Sequence, residues 1–543
     1  MSFSLISLQK RLTSIPLPVL NLALVLAVLA AYANCFDNAL VFDDALLIKM
    51  NAYLRDWSHL GDILTTSTTS GAQIEGGFFR PLQILLYWFI FQASGEHPFL
   101  YHLLNVALHA ANTCLVFALG RKLAFKPTGA FIGALLWGLH PIHTEAVTYI
   151  SGTADPLFVF FCLAGLIVLL PQATPFRVAL TVPLFLLALV SKETAIIFPA
   201  LATVCLLFSP QKQPLRVHLH LLPLWLIGIL FAYWRIHTAD FDGPQSYERF
   251  LAMEAFSSMR VYAESFLCRI YTFLATLPAY AELLFWPHDL HMERNFSLPT
   301  TFARIPVLTG FIMSLLAASV TIYSLKTKRW RGLGWGFAWF AVAYAPNTGL
   351  FVVVNSIFLE HWMYTPSIGL FLGAAQAIST LLERAPPKAV AASLVATLGV
   401  AGALGAKTYS QNMVWRSPET FYMQIIKNGE ESARVYNNLA LYYTDRNDHE
   451  KAIRYFLHSI RIGDVYAETH YNLALAYLRQ STDKENVAKA IDHLERAQKI
   501  QPNFFRADVQ LSIIYKTLLH DPVKAAFHTA RARKAFSRLR QQQ

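Results

Sequence analysis

Along most of this chain, apolar residues do not alternate with polar ones. They come in runs of about 18 to 22, each long enough as a helix to cross a hydrocarbon core of ~30 Å. The first covers about Pro16 to Tyr32, followed by about Phe99 to Leu119, a run ending near His140, and Leu157 to Leu170. One run ends at Ser191-Lys192-Glu193 and the next at a basic loop beginning near Ser209. The remainder are about Leu219 to Trp234, Ile305 to Leu325, Gly332 to Tyr344, Thr365 to Leu382 and Lys388 to Ala406. The stretch from Ser257 to Pro287 is also apolar but is broken by Arg260, Glu264 and Arg269.

Positive charge orients these spans. Lys10 and Arg11, then Arg121, Lys122 and Lys126, Arg177, Lys212 and Arg216, and the Lys326–Arg331 cluster are placed on the cytoplasmic side. If the Ser257–Pro287 stretch crossed once, the Lys326–Arg331 cluster would land outside. An interfacial or re-entrant helical segment with no net crossing is therefore expected. The prediction is an all-α polytopic membrane protein of about eleven spans. Its first outer loop covers about Ala33 to Pro98, and its C-terminal region is also outside. A cleaved signal peptide is not favoured, because no Ala-x-Ala-like site leads into a soluble domain.

Near Lys407 the pattern changes. The segment YNNLALYY at Tyr436 returns as HYNLALAY at His470, and Asn438 and Asn472 stand 34 positions apart, the tetratricopeptide period. Second helices begin at Glu450, Ala488 and Val523, and Gln510 opens a third unit. This predicts a membrane domain over residues 1–406, a linker over 407–432, and about three repeats forming an α-solenoid over 433–540. A concave helical surface of this kind holds a peptide or protein, or else serves as a structural cap.

Composition agrees: 55% of residues are hydrophobic and 15% charged, against roughly 25% charged in soluble domains. The net charge of +11 reflects bilayer orientation rather than nucleic-acid binding. The five cysteines show no paired spacing, so neither a disulfide framework nor a zinc site is indicated.

What remains is a set of ionisable groups at span ends, all assigned to the outer side. They are Asp43 and Asp44; Arg80; His140, His143, Glu145 and Asp155; Lys192 and Glu193; and Glu360, His361 and Tyr364. Ionisable groups at a membrane are costly and mark function. A carboxylate can act as general base for a hydroxyl, and Arg80 and Lys192 can hold a phosphate leaving group. The set suits sugar transfer from a lipid-phosphate carrier; a transporter would place its charges mid-span. Adjacent Lys192 and Glu193 can also pair with each other. His102, Asn105 and His109, at helical spacing, are read as helix-packing hydrogen bonders.

The segments VFDDALL, FRPLQILLYWF, YHLLNVALHAANTCLVFAL, LHPIHTEAVTYISGTADPLF, SKETAI and EHWMYTPSIGL, in this order before the repeats, resemble the transmembrane and tetratricopeptide-repeat O-mannosyltransferases and their bacterial relatives, within the type C glycosyltransferases. The resemblance implies an outer-face active site, a polyprenyl- or dolichyl-phosphate-linked sugar donor and an inverting mechanism. It makes Asp44 or Asp43 the base, with a slight preference for Asp44. Arg80, Asp155, Lys192, Glu193, Glu360, His361 and Tyr364 become donor phosphate or sugar ligands. His140, His143 and Glu145 are further candidates. Thr153 stands where the family often has Arg, which removes one cation. No cofactor is expected; a divalent metal is not favoured, and one would use Asp43, Asp155 and His143. The acceptor is a protein Ser or Thr, or a cell-envelope glycan or lipid. The rival is a non-enzymatic scaffold recruiting partners through its repeats. The single Asn-x-Ser/Thr sequon, at Asn295, favours a bacterial inner membrane with a periplasmic site over the endoplasmic reticulum.

Overall fold

The computed structural model describes residues 15–74, 76–211, 213–238, 257–294, 296–353 and 356–542. Lys10, Arg11, Lys212, Asn295 and the side chain of Arg260 lie outside the described residues. Among the described residues every regular element is helical. The described residues fall into two compact units, 15–238 with 258–417, and 257 with 418–542.

In the first unit, five helices are long and apolar enough to cross a membrane: Phe99–Lys122, Ile150–Leu169, Arg216–His237, Ile305–Thr327 and Pro387–Arg416. Other expected spans form shorter helices, such as Pro127–Gly138 with 12 residues, Arg331–Tyr344 with 14 and Pro366–Leu381 with 16. A count of eleven therefore reaches beyond the helices that meet this length. Proline opens many of them, at Pro81, Pro127, Pro175, Pro366 and Pro387. It fits there because the first helical N–H has no partner in any case. The segment expected at the interface forms two helices, Ser257–Glu264 and Phe266–Phe285. The break is at Ser265, whose hydroxyl accepts from the Cys268 N–H. The expected first outer loop is not irregular throughout, since Pro81–Ser94 forms a helix within it that buries Gln83, Tyr87 and Trp88.

Helix Pro366–Leu381 is held between two others by glycines four residues apart. A Cβ on Gly369 would lie 2.5 Å from the Gly336 carbonyl oxygen, and one on Gly373 would lie 2.7 Å from that of Gly332. On its other side, a Cβ on Gly133 would lie 2.9 Å from Leu372 Cα. These backbones touch because no side chain separates them.

The second unit carries three helix pairs: Ala433–Asp445 with His449–Ile462, Ala467–Gln480 with Lys484–Ile500, and Phe505–Thr517 with Pro522–Gln542. Each pair is fastened by the same trio. A tyrosine of the first helix stacks on a ring of the second, and a lysine four residues before that ring covers the tyrosine. The stacks are Tyr443 on Tyr455 at 5.5 Å, Tyr477 on His493 at 5.9 Å and Tyr515 on His528 at 5.6 Å. The lysines are Lys451, Lys489 and Lys524, at 4.8, 5.5 and 5.0 Å from the ring centres.

Candidate active site

The site is assembled on helix Phe99–Lys122. His102, Asn105, His109 and Asn112 fall three and four residues apart, so they form one polar row along it. All four are buried. Inside an apolar bundle such groups need partners, and they find them in the backbone of loops and helix ends. His102 Nε2 meets the Asn38 carbonyl at 3.0 Å. Asn105 donates to the carbonyls of Tyr149 and Ile150. His109 Nε2 meets the Gly138 carbonyl at 2.9 Å, and Asn112 donates to that of Pro156 at 2.8 Å. The expected helix-packing residues thus also hold the loops that carry the acids.

The two first-loop aspartates differ. Phe42, just before them, has φ of 52°, a left-handed backbone that a bulky residue rarely adopts. Asp44 is 1% exposed. One of its oxygens accepts from the Val41 N–H at 2.9 Å, and the other from the Ser151 N–H at 2.8 Å and the Ser151 hydroxyl. Burial outweighs these donors and pushes its carboxyl up to about 7. Asp43 is half-buried, and its backbone N–H donates to the Tyr149 hydroxyl at 3.1 Å.

Two cation–carboxylate pairs follow. Lys192 Nζ lies 2.7 and 2.8 Å from the two oxygens of Asp155, with both residues buried. Glu193 does not pair with its neighbour Lys192. It accepts from the Phe79 N–H at 2.7 Å and from Arg80 Nε at 3.4 Å. The adjacent side chains of an extended Lys192 point to opposite faces, which sends each to a different partner. Arg80 and Glu193 are nonetheless close enough to Lys192 to act on its charge, which burial pulls below the ordinary lysine range against the attraction of Asp155. Arg80 also covers the Phe78 ring at 4.5 Å. Thr153 is fully buried, its hydroxyl bonded to Asn105 and Tyr87.

A third group joins the second and last loops. Both oxygens of Glu145 are taken by His361: Oε1 by ring Nδ1 at 2.7 Å and Oε2 by the backbone N–H at 3.0 Å. Glu360 turns the other way and accepts from the His291 N–H at 2.7 Å and from Arg294 at 2.8 Å. Burial drives its carboxyl up, against the pull of Arg294. Tyr364 is fully buried, its hydroxyl 2.8 Å from His109 Nδ1 and 3.1 Å from Asn112. His140 receives the Ile142 N–H and reaches the Leu284 carbonyl. His143 is enclosed by Trp137, Tyr364 and His109, with neither ring nitrogen bonded to a described residue. Burial holds it well below the ordinary histidine range, hence neutral. Among the described residues, no three His, Cys, Asp or Glu side chains are arranged to hold a metal ion.

Hydrogen bonds thus stitch the segments around 41–44, 79–83, 145–155 and 192–193 together, and Glu145 adds 360–364. Sequence reasoning missed Ser151, Tyr149, Gln83 and Arg294. Ser151 and Tyr149 lie inside the quoted motif but carry no charge to draw attention. Arg294 lies in a polar loop to which no role was given.

The tetratricopeptide repeat family matches residues 433–462. Over nearly the whole chain, the sequence is similar to Protein O-mannosyl-transferase TMTC3 of Mus musculus, at 25% identity over 91% of this chain and 58% of that protein. These relatives are the family the motifs resemble. The human TMTC3 protein is 24% identical over 86% of this chain and 54% of its own length. Human Protein O-mannosyl-transferase TMTC4 is 24% identical over 79% of this chain and 64% of its own. The chain spans just over half the length of the TMTC3 relatives. The motifs and the repeats are thus found in one order in this chain, a membrane protein with apolar helices and a tetratricopeptide repeat.

Proposed function

We propose that this chain is an inverting membrane glycosyltransferase. It moves a sugar, mannose by the relatives' names, from a polyprenyl-phosphate carrier to a protein Ser or Thr hydroxyl at the outer face. The observation that carries this reading is the division of labour between the two first-loop acids. Asp44 spends both oxygens on Val41 and Ser151 and is sealed from solvent, whereas Asp43 is half-buried beside it. Asp43 is the better base, and Asp44 fixes the loop that presents it. The base deprotonates the acceptor hydroxyl, which attacks the anomeric carbon opposite the leaving phosphate. Among the described residues Arg80 meets Glu193 through Nε, so its terminal nitrogens can serve a phosphate, and Lys192 retains one N–H beyond the two oxygens of Asp155. Glu360, His361 and Tyr364 complete the donor side, with Tyr364 acting through His109 and Asn112. The repeats receive the acceptor protein. The membrane is a bacterial inner membrane and the face periplasmic, in keeping with the single sequon.

The test is transfer from polyprenyl-phosphate mannose to a Ser/Thr peptide by purified full-length protein. Asp43→Asn lowers kcat by roughly 100-fold or more without lowering the melting temperature. A wild type that transfers no sugar from any polyprenyl carrier, or an Asp43→Asn variant at full rate, overturns the reading. An inactive wild type that still binds proteins through its repeats would identify a scaffold.

A further inference from the structure

The three cation–carboxylate pairs of the site cancel one another. Lys192 faces Asp155, Arg80 faces Glu193 and Arg294 faces Glu360. A sugar linked through a phosphate diester carries one negative charge, and the phosphate carries two once the sugar has left. The paired cations add no net positive charge for that second one. Beside these pairs lies one imidazole held by a buried carboxylate, that of His361 on Glu145.

Its geometry is unusual. Glu145 is 1% exposed and gives both oxygens to this one residue, ring Nδ1 and backbone N–H together. A carboxylate only accepts, so the hydrogen on Nδ1 is fixed. The remaining variable position is Nε2, which bonds no described residue, and the His361 side chain is 19% exposed where Glu145 is sealed. An imidazole oriented by a buried carboxylate, with its far nitrogen open, is the arrangement by which proteins hand a proton to a substrate.

We infer that Glu145 and His361 form a carboxylate–imidazole dyad that presents Nε2–H to the leaving phosphate, His361 as a catalytic residue and Glu145 as a positioning residue. This rests on the donor class proposed above. As the acceptor oxygen bonds to the anomeric carbon, the bond from that carbon to the phosphate oxygen breaks and its electron pair stays on the phosphate. The acceptor proton passes to Asp43, and the Nε2 proton passes to the phosphate, which leaves as a monoanion. Water then returns the Asp43 proton to His361, so no proton is gained or lost over the cycle.

The test uses full-length protein in nanodiscs and reads two quantities: affinity for polyprenyl monophosphate, which needs no turnover, and kcat and KM for sugar transfer. His361→Asn is the informative variant, because its amide can still donate to Glu145 in place of Nδ1 while Nε2 is gone. We expect His361→Asn to bind the monophosphate roughly 10-fold more weakly and to lose about 100-fold in kcat, with acceptor KM unchanged. Added imidazole restores part of the rate to His361→Ala, and Glu145→Asp retains more rate than Glu145→Gln. Unchanged affinity and kcat in a folded His361→Asn protein overturns the dyad while leaving the glycosyltransferase reading intact. His361-dependent binding without transfer by the wild type overturns the glycosyltransferase reading and the catalytic role of His361, and leaves His361 a phosphate ligand only. A wild type that does not bind the monophosphate overturns both.

Discussion

The substitution Asp44→Asn tests the proposed division between a structural acid and a catalytic one, and its effect on stability depends on pH. In the wild type, the carboxylate accepts from Val41 N–H, Ser151 N–H and the Ser151 hydroxyl. An amide has one accepting oxygen. If that oxygen stays on Ser151, the NH2 group meets the Val41 N–H, and a buried donor is left unmet at about 1–3 kcal/mol. Against this stands the cost of ionising Asp44, whose pKa is raised from 3.8 to about 7. A pKa raised in the folded state contributes stability that is complete below the unfolded value near 4 and lost as pH rises through 7. About three units at 1.36 kcal/mol each amount to roughly 4 kcal/mol. Asn does not titrate, so the wild-type advantage over Asp44→Asn shrinks by up to that amount between pH 4 and 7 and is flat above. Thermal unfolding in detergent from pH 4.5 to 8.5, read for both proteins, gives the difference directly. A difference that does not vary with pH would refute the buried-acid argument. So would an Asp44→Asn protein that melts like wild type yet loses as much kcat as Asp43→Asn.

The remaining predictions concern packing and pairing. Lys192→Met leaves the Asp155 carboxylate buried and unpaired and destabilises by about 3–5 kcal/mol; the double variant with Asp155→Leu recovers much of that in the same melt. Asn105→Ala removes the Asn105 donor from the buried Tyr149 carbonyl, while the Ile150 carbonyl keeps the Tyr87 and Thr153 hydroxyls, and costs about 1–3 kcal/mol, measurable as a lower melting temperature. Gly336→Leu drives a side chain into the Gly369 backbone and costs at least about 1–3 kcal/mol. Gly399→Leu, where nothing lies within 4 Å, leaves the melt unchanged.

Helices and repeats were legible because their signals are local. A long apolar run needs no knowledge of its neighbours, and the 34-residue echo of Asn438 at Asn472 is visible by eye. The second and third repeats lie outside the family match at 433–462, yet their Tyr477, Lys489, His493 and Tyr515, Lys524, His528 trios repeat the geometry of the first. The charged residues of the site could be named from their positions, but their partners could not. Nothing in a sequence states that Lys192 crosses 37 positions to Asp155 while Glu193 turns to Arg80. The polar row of helix Phe99–Lys122 showed a face. That the face grips loop carbonyls at Asn38, Tyr149 and Pro156 depends on where those loops fold back. Likewise the difference between Asp43 and Asp44 lies in burial, which two adjacent identical residues cannot reveal.

The glycine contacts flanking helix Pro366–Leu381 also bear on how a lipid could travel. With the Gly369 and Gly373 backbone pressed against Gly336 and Gly332, and Gly133 against Leu372 on the other side, no gap there is wide enough for a prenyl chain. Those seams are closed to lateral traffic. On the proposed lipid-linked donor, a tail whose headgroup reaches the Glu360–Tyr364 turn at the start of this helix would have to slide in along a different flank of the bundle.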